Sequence, residues 1–333
     1  MRKKVTRISS LLLTGVLSGG GLAGLAVSAA EPSSGAPVTS LPPPPIESVA
    51  QTRNSPPVPP LPNPLPTPRI PAREGIMGIM PEPDDDLGVG HLRPKDLSFL
   101  EATDPASSPL LGAGWLQSAA IPIYIEPDGS HWGWIINGWL VPNGQSAIAL
   151  GQDASFLMVQ TYPDLLSFPV TQIREDGWFQ FQYTSAGQAW AHIDHLDLGR
   201  MDLAVELWES HLIDTDRVTF RRHGLSQSLY NTPDGTQASI LGLVGPNSFI
   251  QPLAFEGDWM RVQVTQPAEG CATLPGAVTL EGWMRWRSDA QQPMIWFEPQ
   301  GCEAVEEAAG EAVEEAVEEA AGETAGEAAV NSN

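Results

Sequence analysis

The sequence predicts a mainly β protein: two small modules joined by a helix, with a disordered proline-rich linker before them and an acidic tail after them. Three observations carry this. Short runs with two-residue alternation sit between turn signals, as half-buried strands do. All 11 tryptophans fall between Trp115 and Trp296, which puts the foldable material at about residues 110–302. Within that span the pattern Tyr-x-x-Pro-Asp-Gly occurs twice, at Tyr124 and at Tyr230, as expected of an internal repeat.

Residues 1–30 read as an export signal. Arg2, Lys3, Lys4 and Arg7 precede an apolar stretch from Leu11 to Val27, and Ser28, Ala29 and Ala30 offer small residues for cleavage. An uncleaved anchor is the competing reading, because Ile8 to Ala30 is long enough to cross a bilayer. Residues 31–109 read as the linker, and residues 31–94 hold 18 of the 32 prolines. The run from Pro56 to Pro71 favours extended polyproline II at about 3.1 Å per residue, a semi-rigid spacer. A docking segment for proline-binding domains is the sharper alternative.

Residues 110–199 make the first module. Ile121 to Ile125 is a strand ended by the turn Pro127-Asp128-Gly129, and Phe179 to Tyr183 alternates aromatic and polar side chains. Residues 200–222 are a linking helix and strand. Leu203, Leu207 and Leu212 have helical spacing with Asp202 as N-cap, so a helix is expected over 202–213. Residues 223–302 make the second module, where Met260 to Val264 alternates in the same way. Residues 303–333 are a low-complexity tail with ten Glu. Seven of these, from Glu303 to Glu327, repeat at i,i+4, where like charges oppose a helix at neutral pH.

The repeat extends past its tyrosine. Tyr124 leads to Gly177-Trp178 and then Gln188-Ala189-Trp190-Ala191. Tyr230 leads to Ile240-Leu241-Gly242, then Gly257-Asp258-Trp259-Met260-Arg261-Val262, then Gly282-Trp283-Met284-Arg285. This order resembles the bacterial SH3-like (SH3b) domain, best over residues 226–288; the first copy lacks the closing Gly-Trp and carries a long insertion. The resemblance implies two small, strongly bent SH3-like β-barrel modules. It also implies a binding role in the cell envelope, toward peptidoglycan or peptide ligands.

Charge narrows the partners. The chain carries a formal charge of −23, or −27 without its signal, which repels nucleic acid and anionic lipid. No nucleic-acid partner and no membrane span after signal cleavage are expected. Cys271 and Cys302 are the only cysteines. In an oxidising compartment they are expected to form a disulfide worth about 3–4 kcal/mol, with a catalytic thiol or two unpaired core cysteines as alternatives.

Trp132, Trp134 and Trp139, with Tyr124, Tyr230 and Trp286, are the candidate ligand-binding residues, since an exposed ring stacks on sugar faces or proline rings. Trp132 and Trp134 share a face if their segment is extended, and Trp286 lies opposite Trp283 in parity. The competing reading is that tryptophans fill a small β core, as expected for Trp178, Trp190, Trp259 and Trp283. His192, Asp194, His195 and Asp197 would make a zinc site only if His211 joined them, and no second paired motif supports that. No metal and no cofactor are expected. No nucleophile elbow, His-Glu-x-x-His or phosphate loop is present. The expectation is an exported, non-catalytic envelope protein, in the periplasm, wall or outside the cell, that binds a peptidoglycan or peptide ligand. The alternatives are a wall hydrolase with a Cys nucleophile and an envelope scaffold without a small ligand.

Overall fold

The structure is a computed structural model that describes residues 55–100, 108–233, 238–298 and Cys302. The export signal, the acidic tail and the Asp234-Gly235 end of the second turn motif lie outside those residues. The chain is mainly β, with one α-helix, Trp208–Ile213, among the described residues. No helix there is long and apolar enough to cross a membrane.

Apart from a short parallel pair, Ile76–Met77 with Phe156–Leu157, the strands of the described residues fall into two lobes. The first is a ten-stranded sheet. Its order runs Leu203–Leu207, Gly90–Pro94, Leu165–Ile173, Trp178–Gln182, Gln188–His192, Ala120–Tyr124, His131–Ile136, Trp139–Pro142, Ile148–Ala149, with Val159–Tyr162 also paired to Leu165–Ile173. The second has seven strands in the order Ile240–Val244, Gln227–Tyr230, Ala272–Arg285, Trp259–Glu269, Phe249–Glu256, Val218–Phe220, Ile295–Phe297. Both orders are open: the first strand of each does not pair with the last, so neither sheet closes as the expected barrels would.

Alternation sets which faces are buried. In Trp259–Glu269, Met260, Val262 and Val264 point into the second core while Arg261 and Gln263 face water. In Trp178–Gln182, Phe179 and Phe181 enter the first core. The two cores meet where Leu87 and Val159 join the cluster around Trp208, Trp296 and Met284. Cys271 and Cys302 are bonded.

Two expectations change. Residues 203–207 form a strand paired along its length with Gly90–Pro94, and the helix starts only at Trp208. Apolar residues at 203, 205 and 207 satisfy a strand as well as a helix, and a free ladder edge decides between them. The linker expected over 31–109 also contains ordered structure. Gly90–Pro94 lies between two strands of the first sheet, and Leu92 is fully buried.

The repeat recurs in space. Tyr124 pairs with Trp190 across its ladder, and Tyr230 pairs with Trp283. Tyr124 sits edge-on to Trp178 at 5.0 Å and 89°, and Tyr230 sits edge-on to Trp259 at 5.6 Å and 85°. The residues matched by sequence therefore occupy matching positions in the two lobes.

Candidate functional site

The most specific assembly of side chains lies on the outer face of the first lobe. It begins with a hairpin. Ile136 pairs with Trp139, leaving Asn137-Gly138 as a two-residue loop. Both loop residues have positive φ, 55° and 80°, the geometry that Asn-Gly adopts in tight hairpins. The turn places Trp134, Ile136 and Trp139 on one face, opposite Ile135 and Leu140, which enter the core.

The proline-rich segment lies across that face. Four side-chain donors reach its carbonyls: His195 Nε2 to Pro56 at 3.0 Å, Trp134 Nε1 to Pro60 at 3.1 Å, Asn137 Nδ2 to Pro66 at 2.9 Å and Trp139 Nε1 to Thr67 at 2.8 Å. A carbonyl can only accept, so His195 carries its hydrogen on Nε2. Eight of the fourteen residues from Ser55 to Pro68 are proline and have no N–H, so a chain of this kind is gripped through its carbonyls. From Pro56 to Pro62 every third residue turns inward, at Pro56, Pro59 and Pro62, while Val58 and Leu61 stay more than half exposed, the three-residue period of polyproline II; past Asn63 the register changes, with Leu65 exposed and Pro66 turned inward.

The far end of the segment is clamped. The Arg69 guanidinium lies 5.0 Å over the Trp139 ring and donates to Gln152, and the Arg69 N–H donates to the Asn137 carbonyl. Gly138 is required here twice over. Its φ is +80°, and a Cβ would stand 2.1 Å from the Arg69 carbonyl oxygen.

The sequence-predicted residues divide. Trp134 and Trp139 belong to this face. Tyr124 is nearby and buried, stacked on His195 at 6.4 Å between ring centres, and burial raises its hydroxyl pKa to about 12. Trp132 does not share a face with Trp134. A one-residue slip in the ladder beside Tyr124 turns it to the first core instead. Tyr230 is half-buried against Trp259 in the second lobe. Trp286 has no exposed ring face. It is wholly buried, donates to the Gly257 carbonyl at 2.8 Å and is covered by Arg287. Sequence reasoning missed Asn137, His195 as a carbonyl donor, and Arg69. Asn-Gly between two apolar runs was the available signal for the first.

The histidines form no zinc set with one another. His192 donates from Nε2 to the Asp176 main-chain carbonyl and accepts at Nδ1 from the Asp194 N–H, which occupies both ring nitrogens. His211 lies elsewhere, in a buried hub around Glu206. There Arg93 Nε approaches Glu206 Oε2 at 2.6 Å, His91 Nε2 at 2.9 Å, the Tyr162 hydroxyl at 3.3 Å and His211 Nδ1 at 3.6 Å. His91, Glu206 and His211 are the one group among the described residues whose ligand atoms cluster as a metal site would. All four approaches converge on a single oxygen, however, and the Arg93 guanidinium already balances the carboxylate. A divalent ion would add uncompensated charge beside Trp208, which stacks on His91, and Phe297, which meets His211 edge-on. Burial lowers the His91 pKa to about 4, so this ring is neutral at pH 7. Donors from Arg93, His91 and His211 outweigh burial at Glu206 and hold its carboxyl well below the usual range.

No family model, curated protein or solved structure matches this chain.

Proposed function

We propose that this is an exported, non-catalytic binding protein of the cell envelope whose first lobe takes an extended, proline-rich peptide. One observation carries the reading: four side-chain donors, from His195, Trp134, Asn137 and Trp139, are spaced to meet the carbonyls of such a chain. Donors reading carbonyls, with aromatic rings beside them, suit a ligand poor in N–H groups and give a polyproline II mode of recognition. Peptide is favoured over glycan because the face that binds is already shaped to a peptide backbone. The hydrolase alternative requires a free thiolate, and both sulfurs are engaged in the Cys271–Cys302 bond.

The test is titration of the full chain with a fluorescent peptide of its own residues 55–72 and with purified wall sacculi. Saturable peptide binding that Trp139→Phe weakens about five- to tenfold, as loss of one hydrogen bond would, supports the proposal. Retention on sacculi with no peptide binding, either to wild type or to a folded chain whose own segment is loosened by Pro59→Asp, overturns it.

A further inference from the structure

We propose that the proline-rich segment is an exchangeable occupant of this face, and that the partner which displaces it is a proline-rich segment of another chain bearing a hydrogen-bonding side chain near its start. This rests on the peptide-binding reading above and names its regulation and its ligand.

Three observations support exchange. Between Pro56 and Pro68 the segment makes no main-chain ladder to the lobe, and its first main-chain bonds are at Arg69 and Ala72. It is therefore held by side-chain donors to carbonyls, contacts that any extended chain of similar composition reproduces. Its outer side is bare: Val58, Leu61 and Leu65 are 55%, 57% and 51% exposed. The face also keeps polar atoms that the present occupant does not use. His195 Nδ1, His131 Nε2 and the Tyr124 hydroxyl are buried and without partners. They sit together, with Tyr124 5.4 Å from His131 and 6.4 Å from His195 between ring centres. His195 and Tyr124 are 1% and 5% exposed. They adjoin the Pro56 end of the segment, where proline offers neither donor nor side-chain acceptor. An incoming peptide with Ser, Thr, Asn or Gln there would satisfy groups that are costly to leave unpaired.

Exchange has a quantitative consequence. A tethered segment competes at an effective concentration on the order of millimolar. A free peptide of the same intrinsic affinity then binds weakly until the tether is loosened.

The experiment uses the full chain and two labelled probes. One is residues 55–72; the other is the same peptide with Thr in place of Pro56, the inward-facing residue beside His195. Each is titrated by fluorescence anisotropy against wild type and against Pro59→Asp, which puts a charge at a buried position of the segment and leaves the face untouched. Arg69→Ser, which loosens the other anchor, serves if Pro59→Asp lowers the thermal midpoint of the whole protein. The expected result is binding to the loosened variant at least tenfold tighter than to wild type, with the Thr peptide tighter than its parent. Equal binding to wild type and the loosened variants overturns exchange and leaves the peptide-binding reading standing. A Thr peptide no tighter than its parent overturns the polar-side-chain ligand. No binding to either folded variant overturns the reading along with the inference.

Discussion

The two lobes are built on the same frame and finished differently. In the first, Tyr124 faces His131 and Ile123 faces Gly133 across the ladder; in the second, Tyr230 faces Ile240 and Leu229 faces Gly242, with the same one-residue slip. Trp134 in the first lobe thus corresponds to Leu243 in the second. Trp134 is buried beneath the proline-rich segment and donates to it, whereas Leu243 is 61% exposed and has nothing to donate. The first lobe then continues into the Asn137-Gly138 hairpin and Trp139, while the Ile240–Val244 strand is the sheet edge. One frame therefore carries two surfaces, and indole and amide N–H groups, not hydrophobicity alone, distinguish the face that holds a peptide. Ile240, Leu241 and Leu243 are exposed without holding anything comparable among the described residues.

The largest expected effect separates the lobes by their covalent support. The bond between Cys271 and Cys302, 31 positions apart, constrains only the second lobe and its unfolded ensemble. Its reduction is expected to cost about 3–4 kcal/mol by chain entropy. In hydrogen exchange, protection should fall first in Trp259–Glu269 and Ala272–Arg285, while Trp134 and Trp139 indole protons stay protected. Simultaneous loss in both lobes would show that the lobes do not differ in this respect.

Acid tests the place where the lobes meet. His91 stands on a first-lobe strand and faces Glu206, Arg93, His211 and Trp208, and His211 packs on Phe297 of the second sheet. With its folded pKa lowered from 6.5 to about 4, His91 takes up a proton more readily in the unfolded chain. Its contribution is complete above pH 6.5 and is lost as pH falls from 6.5 toward 4, by about 3 kcal/mol. Burial likewise lowers the pKa of His195 and His131, and acts in the same direction. Urea midpoints between pH 7 and pH 4.5 should fall steeply for wild type and less steeply for His91→Gln. Parallel profiles would remove His91 as the cause.

Much of the frame was legible because its signals are local. Alternation marked the Met260–Val264 segment, and paired Tyr and Trp residues marked equivalent positions that the ladders then matched. The candidate site was only partly legible because its other half is remote. Trp134, Asn137 and Trp139 reach residues 71 to 74 positions away, and His195 reaches one 139 positions away. The segment they hold has neither helical nor strand period, so proline content alone reads as a linker. The parity argument for Trp132 failed on a single slipped residue, which no pattern in the sequence announces. Trp286 does lie opposite Trp283 in parity, but that is the face of Met284, which enters the second core, so the indole is wholly buried.

The sharpest way to erase the difference between the lobes is to give the first lobe the residue of the second. Trp134→Leu removes the Nε1 donor to Pro60 and leaves a void between Ala120, Ile136 and the proline-rich segment. Lost burial and the cavity together are expected to cost about 2–3 kcal/mol. Loosening of the segment should appear as faster proteolysis between Ser55 and Pro68. The reciprocal change, Leu243→Ala, removes a mostly exposed side chain and is expected to shift stability by less than about 0.5 kcal/mol. Chemical denaturation of both variants decides the matter. Similar costs, or an unchanged cleavage rate in Trp134→Leu, would mean that the proline-rich segment is held by something other than the indole beneath it.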